Sequence, residues 1–476
     1  MRRRVIATVV ALLATSAALT AQSPTNSEPF PFARFRALVA ENHPVAQQAR
    51  LVNAQARSAL QEAWGAFDPK LSLSLSQKAY KGVPYYNYVD AALKVPTPLG
   101  ADLKLGFERA TGTKFSADRT TPPNGLLSLG MTVPLGQRVL TDERRTGLAS
   151  ARAQREAGEA EQQGMINKLL LDAAKAYGNW YASTRRLEIA NDGYRLATFR
   201  YDAVVQRVRS GDSAPIDTIE AALEVQRRAV TRAEADAEQR AVMLLVSTYL
   251  WDARGQPVDL NEQARPVLDG IHATPPDTMR LSTWLSAVAD RHPELRKAEA
   301  KLRVANAERL LALQGLLPLA EGSVAALADR DESGKLLSTT RWSDNFKAGL
   351  EAQTSLLLRK ERGKLARASQ KLDYTRWDRD DLRRDLAYGL RVALNDVVLL
   401  ERVLGTQRVN VRHATMLRDA EQVRFDNGES TLLLVNTRER LVLDEATKLA
   451  SLEGKIAAVR AALVVALGDP ALLNDG

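Results

Sequence analysis

The chain contains no cysteine. That excludes disulfides, thiolate metal sites, a cysteine nucleophile and any lipid carried on sulfur. Histidine is nearly as scarce: His43, His272, His292 and His413 are the four, and they show no metal-ligand spacing. There is no phosphate loop, nucleophile motif or dinucleotide fingerprint, so no metal, cofactor or enzymatic activity is expected. Proline is missing from two long stretches, between Pro134 and Pro215 and between Pro318 and Pro470, which leaves room for unbroken helices. Beyond the N-terminus no run of about 18 consecutive apolar residues occurs, so no membrane-spanning helix is expected.

What remains is a foldable composition, 45% hydrophobic and 26% charged. The net charge of +9 includes Arg2, Arg3 and Arg4 at the extreme N-terminus. Those arginines precede an apolar run and then small residues in "MRRRVIATVVALLATSAALTAQ", the pattern of a secretory signal peptide over 1–21, cut after Ala21. Without them the excess is +9 less 3, or +6, spread along segments whose acids interleave with the bases. A nucleic-acid reader normally clusters its charge, so no nucleic-acid partner is expected.

The chain is duplicated. "ALVAENHPVAQQARLVNAQARSALQEAWGAFDP" is matched by "SAVADRHPELRKAEAKLRVANAERLLALQGLLP", with His43-Pro44 on His292-Pro293 and Pro69 on Pro318, both at an offset of 249. Further on, "ERRTGLASA" matches "KERGKLARA" and "VRSGDS" matches "FDNGES", both at an offset of 217. The first copy therefore holds 32 extra residues after Pro69. The repeats run over 22–268 and 269–476, each in the order helix, strands, very long helix, tight turn, helix.

In the first long helix, about 141–209, apolar or small residues recur at alternating spacings of three and four: Ile166, Leu169, Ala173, Ala176, Trp180, Ser183, Leu187, Ala190, Tyr194, Ala197, Tyr201, Val204 and Val208. A repeat of about 3.5 residues marks a coiled-coil seam. Leu386, Leu390, Ala393, Val397, Leu400 and Leu404 continue it in the second, about 356–426. Such helices span about 100 Å. The flanking helices, about 33–66 and 216–253, are half as long, so each copy predicts a two-stranded rod with a break at mid-height. The polar segment 255–280 and the C-terminus should lie at that height.

The strands, about 69–134 and 319–355, sit at one end of the rod. "KLSLSLSQ" alternates leucine and serine, so Leu71, Leu73 and Leu75 share a face opposite Ser72, Ser74 and Ser76. "YVDAALKV", "ADLKLGFE", "LLSLGMTV" and "NFKAGLEA" alternate likewise. The pattern fits a lipid-facing barrel with a wet lumen and equally a soluble sheet with one buried face. The lysines, acids and glycines of the polar face, and helices that spend their seams on one another, favour the barrel. Four to six strands per chain cannot close one alone, since single-chain barrels begin at about eight. Three chains would supply about twelve.

The signal peptide, the duplicated order of elements and the "VRSGDSAPID" and "FDNGESTLL" turns together resemble the TolC-like outer-membrane efflux proteins over nearly the whole mature chain. The resemblance implies a fold that is mainly α with a small β part: a long α-helical coiled-coil barrel plus a twelve-stranded transmembrane β-barrel shared between three subunits. It implies a passive homotrimeric duct in the outer membrane, with its helical tunnel in the periplasm, serving a tripartite efflux or type I secretion system. The partners implied are a periplasmic adaptor, an inner-membrane pump and outer-membrane lipid.

The two turns then become adaptor-contact tips, with Val208, Gly211, Asp212 and Ser213 in one and Phe425, Gly428, Glu429 and Ser430 in the other. Plain hairpin chemistry explains the same residues, with the glycines in a left-handed backbone and Ser213 and Ser430 capping the returning helices. The family's ring of gating aspartates carries over only to Asp217. Leu434 and Thr437 stand at the matching places of the second copy, where Asp426 and Glu429 are the nearest acids. A first-turn acid favoured by the helix dipole is the alternative reading of Asp217. Tyr85, Tyr86 and Tyr88 read as an interfacial girdle or a packed loop. A periplasmic coiled-coil adaptor or scaffold is the rival class, although it would carry one hairpin and lack the lipid-facing alternation.

Overall fold

The structure is a computed structural model that describes residues 29–114, 116–268, 278–329 and 345–469. The expected signal peptide and His272 lie outside these residues. Two helices dominate, α3 (Glu143–Arg209, 67 residues) and α7 (Arg359–Asp426, 68 residues), each about 100 Å long at 1.5 Å per residue. Asp142 starts α3 by accepting a hydrogen bond from the Arg145 N–H at 2.8 Å. Every residue of the expected seams in α3 and α7 is buried or partly buried.

The helices preceding the strands are broken where single helices were expected. α1 (Phe32–Asn42) and α2 (Pro44–Trp64) are separated by His43, and α5 (Leu281–Arg291) and α6 (Pro293–Gln314) by His292. The prolines at 44 and 293 push the preceding residue out of the helical region and begin a new helix. Each histidine caps that helix through Nδ1, which accepts from the Val45 N–H and from the Glu294 N–H, both at 3.2 Å. The duplicated His-Pro is thus a duplicated helix start, as its position in the two repeats predicts. Burial lowers both imidazoles from the usual histidine pKa and favours the neutral form that can accept.

From the two turns to mid-height the helices form one row, α4 (Pro215–Ser247), α3, α8 (Leu432–Leu467) and α7. From mid-height to the sheet the row is α2, α3, α6 and α7. Small residues let the row close up. A Cβ on Gly178 of α3 would lie 2.0 Å from the carbonyl oxygen of Gly454 in α8. At mid-height Phe35, Val39, Tyr177, Trp180 and Val246 form the main core. A parallel ribbon of β1 (Pro29–Pro31) and β6 (Arg265–Val267) lies against it. The Tyr177 hydroxyl accepts from the Val267 N–H at 2.8 Å and bridges to the Phe30 carbonyl. The Gly468 carbonyl accepts from Gln163 and Asn167 of α3 at 2.8 and 3.0 Å. The described parts of 255–280 and of the C-terminus therefore sit at the expected height.

The far end is a six-stranded antiparallel sheet in the order β2 (Lys70–Tyr80), β3 (Val83–Pro96), β4 (Asp102–Thr111), β5 (Leu126–Pro134), β7 (Leu319–Asp329) and β8 (Phe346–Gln353). In the repeat, β2 and β5 correspond to β7 and β8. The extra residues of the first copy form β3 and β4, which lie inside the sheet. Six strands lie within the four to six expected per chain, two more than the four that a twelve-stranded barrel shared by three subunits requires. The cause is the 32-residue insertion, which is long enough for one further hairpin of membrane-strand length.

Candidate functional site

The molecule carries two candidate sites, one at each end of the rod. At the sheet end, the pairing register aligns the alternation of all six strands. Leu73 is opposite Ala91, Ala91 opposite Phe107, Phe107 opposite Leu127 and Leu127 opposite Ala328. Leu71, Leu93, Leu105, Leu129, Ala326 and Phe346 form the next row, one residue pair further down the sheet. One face is therefore apolar across its full width, and its leucines are open: Leu71, Leu73 and Leu75 are 81%, 67% and 69% exposed. The opposite face carries Ser74, Asp90, Glu108, Lys104, Ser128, Ser323, Lys347 and Glu351. A cluster of open leucines this broad has no place facing water.

The tyrosines divide between the faces. Tyr86 and Tyr88 share the face of Asp90 and stack at 4.6 Å, while alternation puts Tyr85 on the apolar face. Only Tyr85 therefore has the facing that the girdle reading requires. Lys78 lies 5.3 Å from the Tyr85 ring and Arg119 lies 4.8 Å from that of Tyr88.

At the other end the two turns are copies in atomic detail. The Gly211 N–H donates to the Val208 carbonyl at 3.2 Å and the Asp212 N–H to that of Arg207 at 2.8 Å. The Gly428 N–H donates to Phe425 at 3.0 Å and the Glu429 N–H to Arg424 at 2.8 Å. These are the paired bonds of a glycine helix stop, and they need the positive φ found at both glycines, +82° and +78°. Gly211, Asp212, Gly428 and Glu429 are exposed. Val208 and Phe425 instead turn inward on Val204, Ala221 and Leu432, and Arg207 covers the Phe425 ring at 5.1 Å, so the two tips form one body.

Two expected caps are absent. Ala214 precedes α4 without a side-chain bond and Pro215 opens it, so Ser213 caps nothing. Thr431 caps α8 by accepting from Leu434, and Ser430 instead bonds Glu421. Each serine lies one residue ahead of the position whose side chain can reach the first free N–H groups. Asp217 sits partly buried in the first turn of α4, and Leu434, its counterpart, is half exposed.

Sequence reasoning missed a group of buried carboxylates just behind the tips. Glu224 of α4 meets Arg228 at 2.7 Å and Arg440 of α8 at 2.6 Å. Glu439 of α8 pairs with Arg200 of α3, which also bonds Asn436 at 3.1 Å. Glu421 of α7 lies 3.8 Å from Arg438 of α8. These links tie each of the other three helices to α8. For Glu224, burial acts to raise the carboxyl pKa, but the Arg440 hydrogen bond and the surrounding arginine charges outweigh it and hold the group below the usual carboxylate range. Glutamates on such charge-rich helices look alike in sequence, and only the facing helix distinguishes these.

Among the described residues no helix is long and apolar enough to cross a membrane, which says nothing of a β-barrel. No cluster of metal-ligating side chains occurs among them either.

Residues 284–469, most of the second repeat, match the family model described as outer membrane efflux protein. No curated protein matches the chain in sequence. In fold it is similar to the outer-membrane channel OprN (TM-score 0.62, 18% identity, 92% of this chain and 89% of that one). It is similar also to the Campylobacter jejuni CmeC outer membrane channel (0.60, 12%, 92% and 85%) and to the open state of the Neisseria gonorrhoeae MtrE outer membrane channel (0.62, 15%, 92% and 89%). The resemblance to the TolC-like proteins holds to this extent: the second repeat is similar in sequence to outer membrane efflux proteins, and the fold over 92% of the chain is similar to that of outer-membrane channels.

Proposed function

We propose that three copies of the chain close into a duct that carries substrates from a periplasmic adaptor and an inner-membrane pump to the cell exterior. The observation that carries this reading is the pair of open edges. The helical row ends in α4 and α7, and both present apolar seams to the outside. Ile216, Leu223, Val230, Ala237 and Leu244 recur every seven residues along α4, and Val409, Met416 and Val423 do so along α7, all exposed. Seams of this kind pair with another helix. The sheet ends in β2 and β8, whose residues are all exposed. A ring of identical subunits satisfies both edges at once, α4 against α7 and β2 against β8 of the next copy.

In this reading the apolar face of Leu71, Leu73 and Leu75 meets lipid and the serine face lines the exit. Gly211, Asp212 and Ser213, with Gly428, Glu429 and Ser430, meet the adaptor, while Val208 and Phe425 hold the two tips together behind them. Asp217, one helical turn above the tip, is the gate candidate. Identity of the cargo follows from the pump, efflux of small toxic molecules or secretion of protein. The test is transport in cells whose chromosomal copy is deleted, complemented by the wild type and by the double variant Gly211→Val with Gly428→Val. Restored export by the wild type, with loss of export and of adaptor crosslinking but a normal outer-membrane level in the variant, is expected. Full export by the variant would move docking to the helix flanks.

A further inference from the structure

The hairpin of β3 and β4 belongs neither to the duplicated plan nor to any rim structure. It lies between β2 and β5, hydrogen-bonded on both sides. Its alternation keeps the phase of its neighbours: Val89, Ala91, Leu93 and Val95 of β3 and Leu103, Leu105 and Phe107 of β4 all fall on the apolar face. A one-residue slip would have put them on the wet face. The strands are 14 and 10 residues long, enough to cross a membrane as tilted strands. The hairpin's lower turn is tied to the rod. Asp102 accepts from Arg144 in the first turn of α3 at 2.8 Å and pairs with Lys94 at 2.9 Å, and Gly100 takes φ +92° beneath them. The upper connection from β2 is a two-residue turn, Lys81-Gly82, with positive φ at both positions.

We propose that this hairpin is barrel wall, so that three chains close eighteen strands and open an exit wider than a twelve-stranded one. The inference rests on the trimeric reading above. Six alternating strands leave β2 and β8 running in opposite directions, so joining β8 of one copy to β2 of the next continues the antiparallel order without a break. An even total satisfies the rule for such barrels. Barrel diameter grows roughly linearly with strand number, so the lumen cross-section rises about twofold from twelve to eighteen, into the range where porins hold an aqueous channel. The hairpin adds Asp90, Lys104 and Glu108 to the lumen face. The wall would then admit hydrated cargo over its whole length, and selection would fall to the narrow end.

The absence of cysteine allows the placement to be read directly. Single variants Leu105→Cys and Lys104→Cys, and on the flanking strand Leu129→Cys and Ser128→Cys, are challenged with a membrane-impermeant maleimide on outer-membrane vesicles. Lys104→Cys and Ser128→Cys should react, and Leu105→Cys should be as protected as Leu129→Cys. Replacing residues 81–125 by an Asn-Gly turn should narrow the barrel of the purified trimer to about two thirds of its diameter in projection images. A Leu105→Cys thiol that reacts like Lys104→Cys, in a protein that is trimeric and conducts, overturns the hairpin placement and leaves the duct intact. An unchanged barrel diameter in the shortened trimer does the same. If the shortened chain fails to assemble, the thiol pattern alone decides. A full-length chain that forms no trimer fails the duct reading itself and takes this inference with it.

Discussion

Leu73 and Ser74 are neighbours in the chain and lie on opposite faces of the sheet, which in the proposed barrel meet opposite media. Leu73→Arg puts a cation on the lipid face at a cost of about 2–4 kcal/mol near the bilayer midplane. Ser74→Arg puts the same charge in the lumen. Outer-membrane levels should therefore fall for the first and hold for the second, with only conductance altered. Equal levels would reverse the assigned faces. That the two side chains take opposite faces was legible in "KLSLSLSQ", because a period of two marks a strand, whereas the medium each face meets was not. The buried carboxylates were not legible, since burial of Glu224, Glu421 and Glu439 depends on which helix faces them. Their arginine links carry a pH signature. The Glu224 pKa is depressed in the folded state, so its contribution is present above the ordinary carboxylate value of about 4.5 and is lost as pH falls through the depressed one. The thermal midpoint of the detergent-solubilised protein should drop below about pH 4.5, and Glu224→Gln should flatten that drop while lowering the midpoint at pH 7. An unchanged acid limb in Glu224→Gln would remove this link from the account.

Among the elements, the long helices were the most legible and their edges the least. A proline-free stretch with a sustained heptad can hardly be anything but a long helix. A second seam on the outer side of α4 and α7 is harder to see, because it is diluted by the charges of a solvated face. The caps failed for a local reason, since proline at 215 and threonine at 431 move the helix start one residue beyond each serine. Helices α3 and α8 approach closely at Gly178 and Gly454. A side chain at either position meets backbone that cannot rotate away. Gly178→Val should destabilise the subunit by about 1–3 kcal/mol. Gly147→Ala, where a Cβ meets nothing within 4 Å, is the control and should not destabilise. Equal midpoints for the two variants would show that α3 and α8 do not pack this closely in the protein.

For the whole molecule, duplication supplies the plan and the insertion departs from it. Two offsets in the sequence revealed both, yet whether the inserted residues joined the sheet depended on strand pairing, which no single sequence states. In the proposed duct the subunit is incomplete by itself. Its helical row and its sheet each end in an unpaired edge, and the two edges lie on the same two sides of the rod. The account therefore stands or falls on assembly. The most direct test is the native mass of the full-length protein extracted from outer membranes in mild detergent. The account predicts three chains per particle, with one chain after full denaturation. A monodisperse single chain that still conducts ions across a bilayer would contradict it.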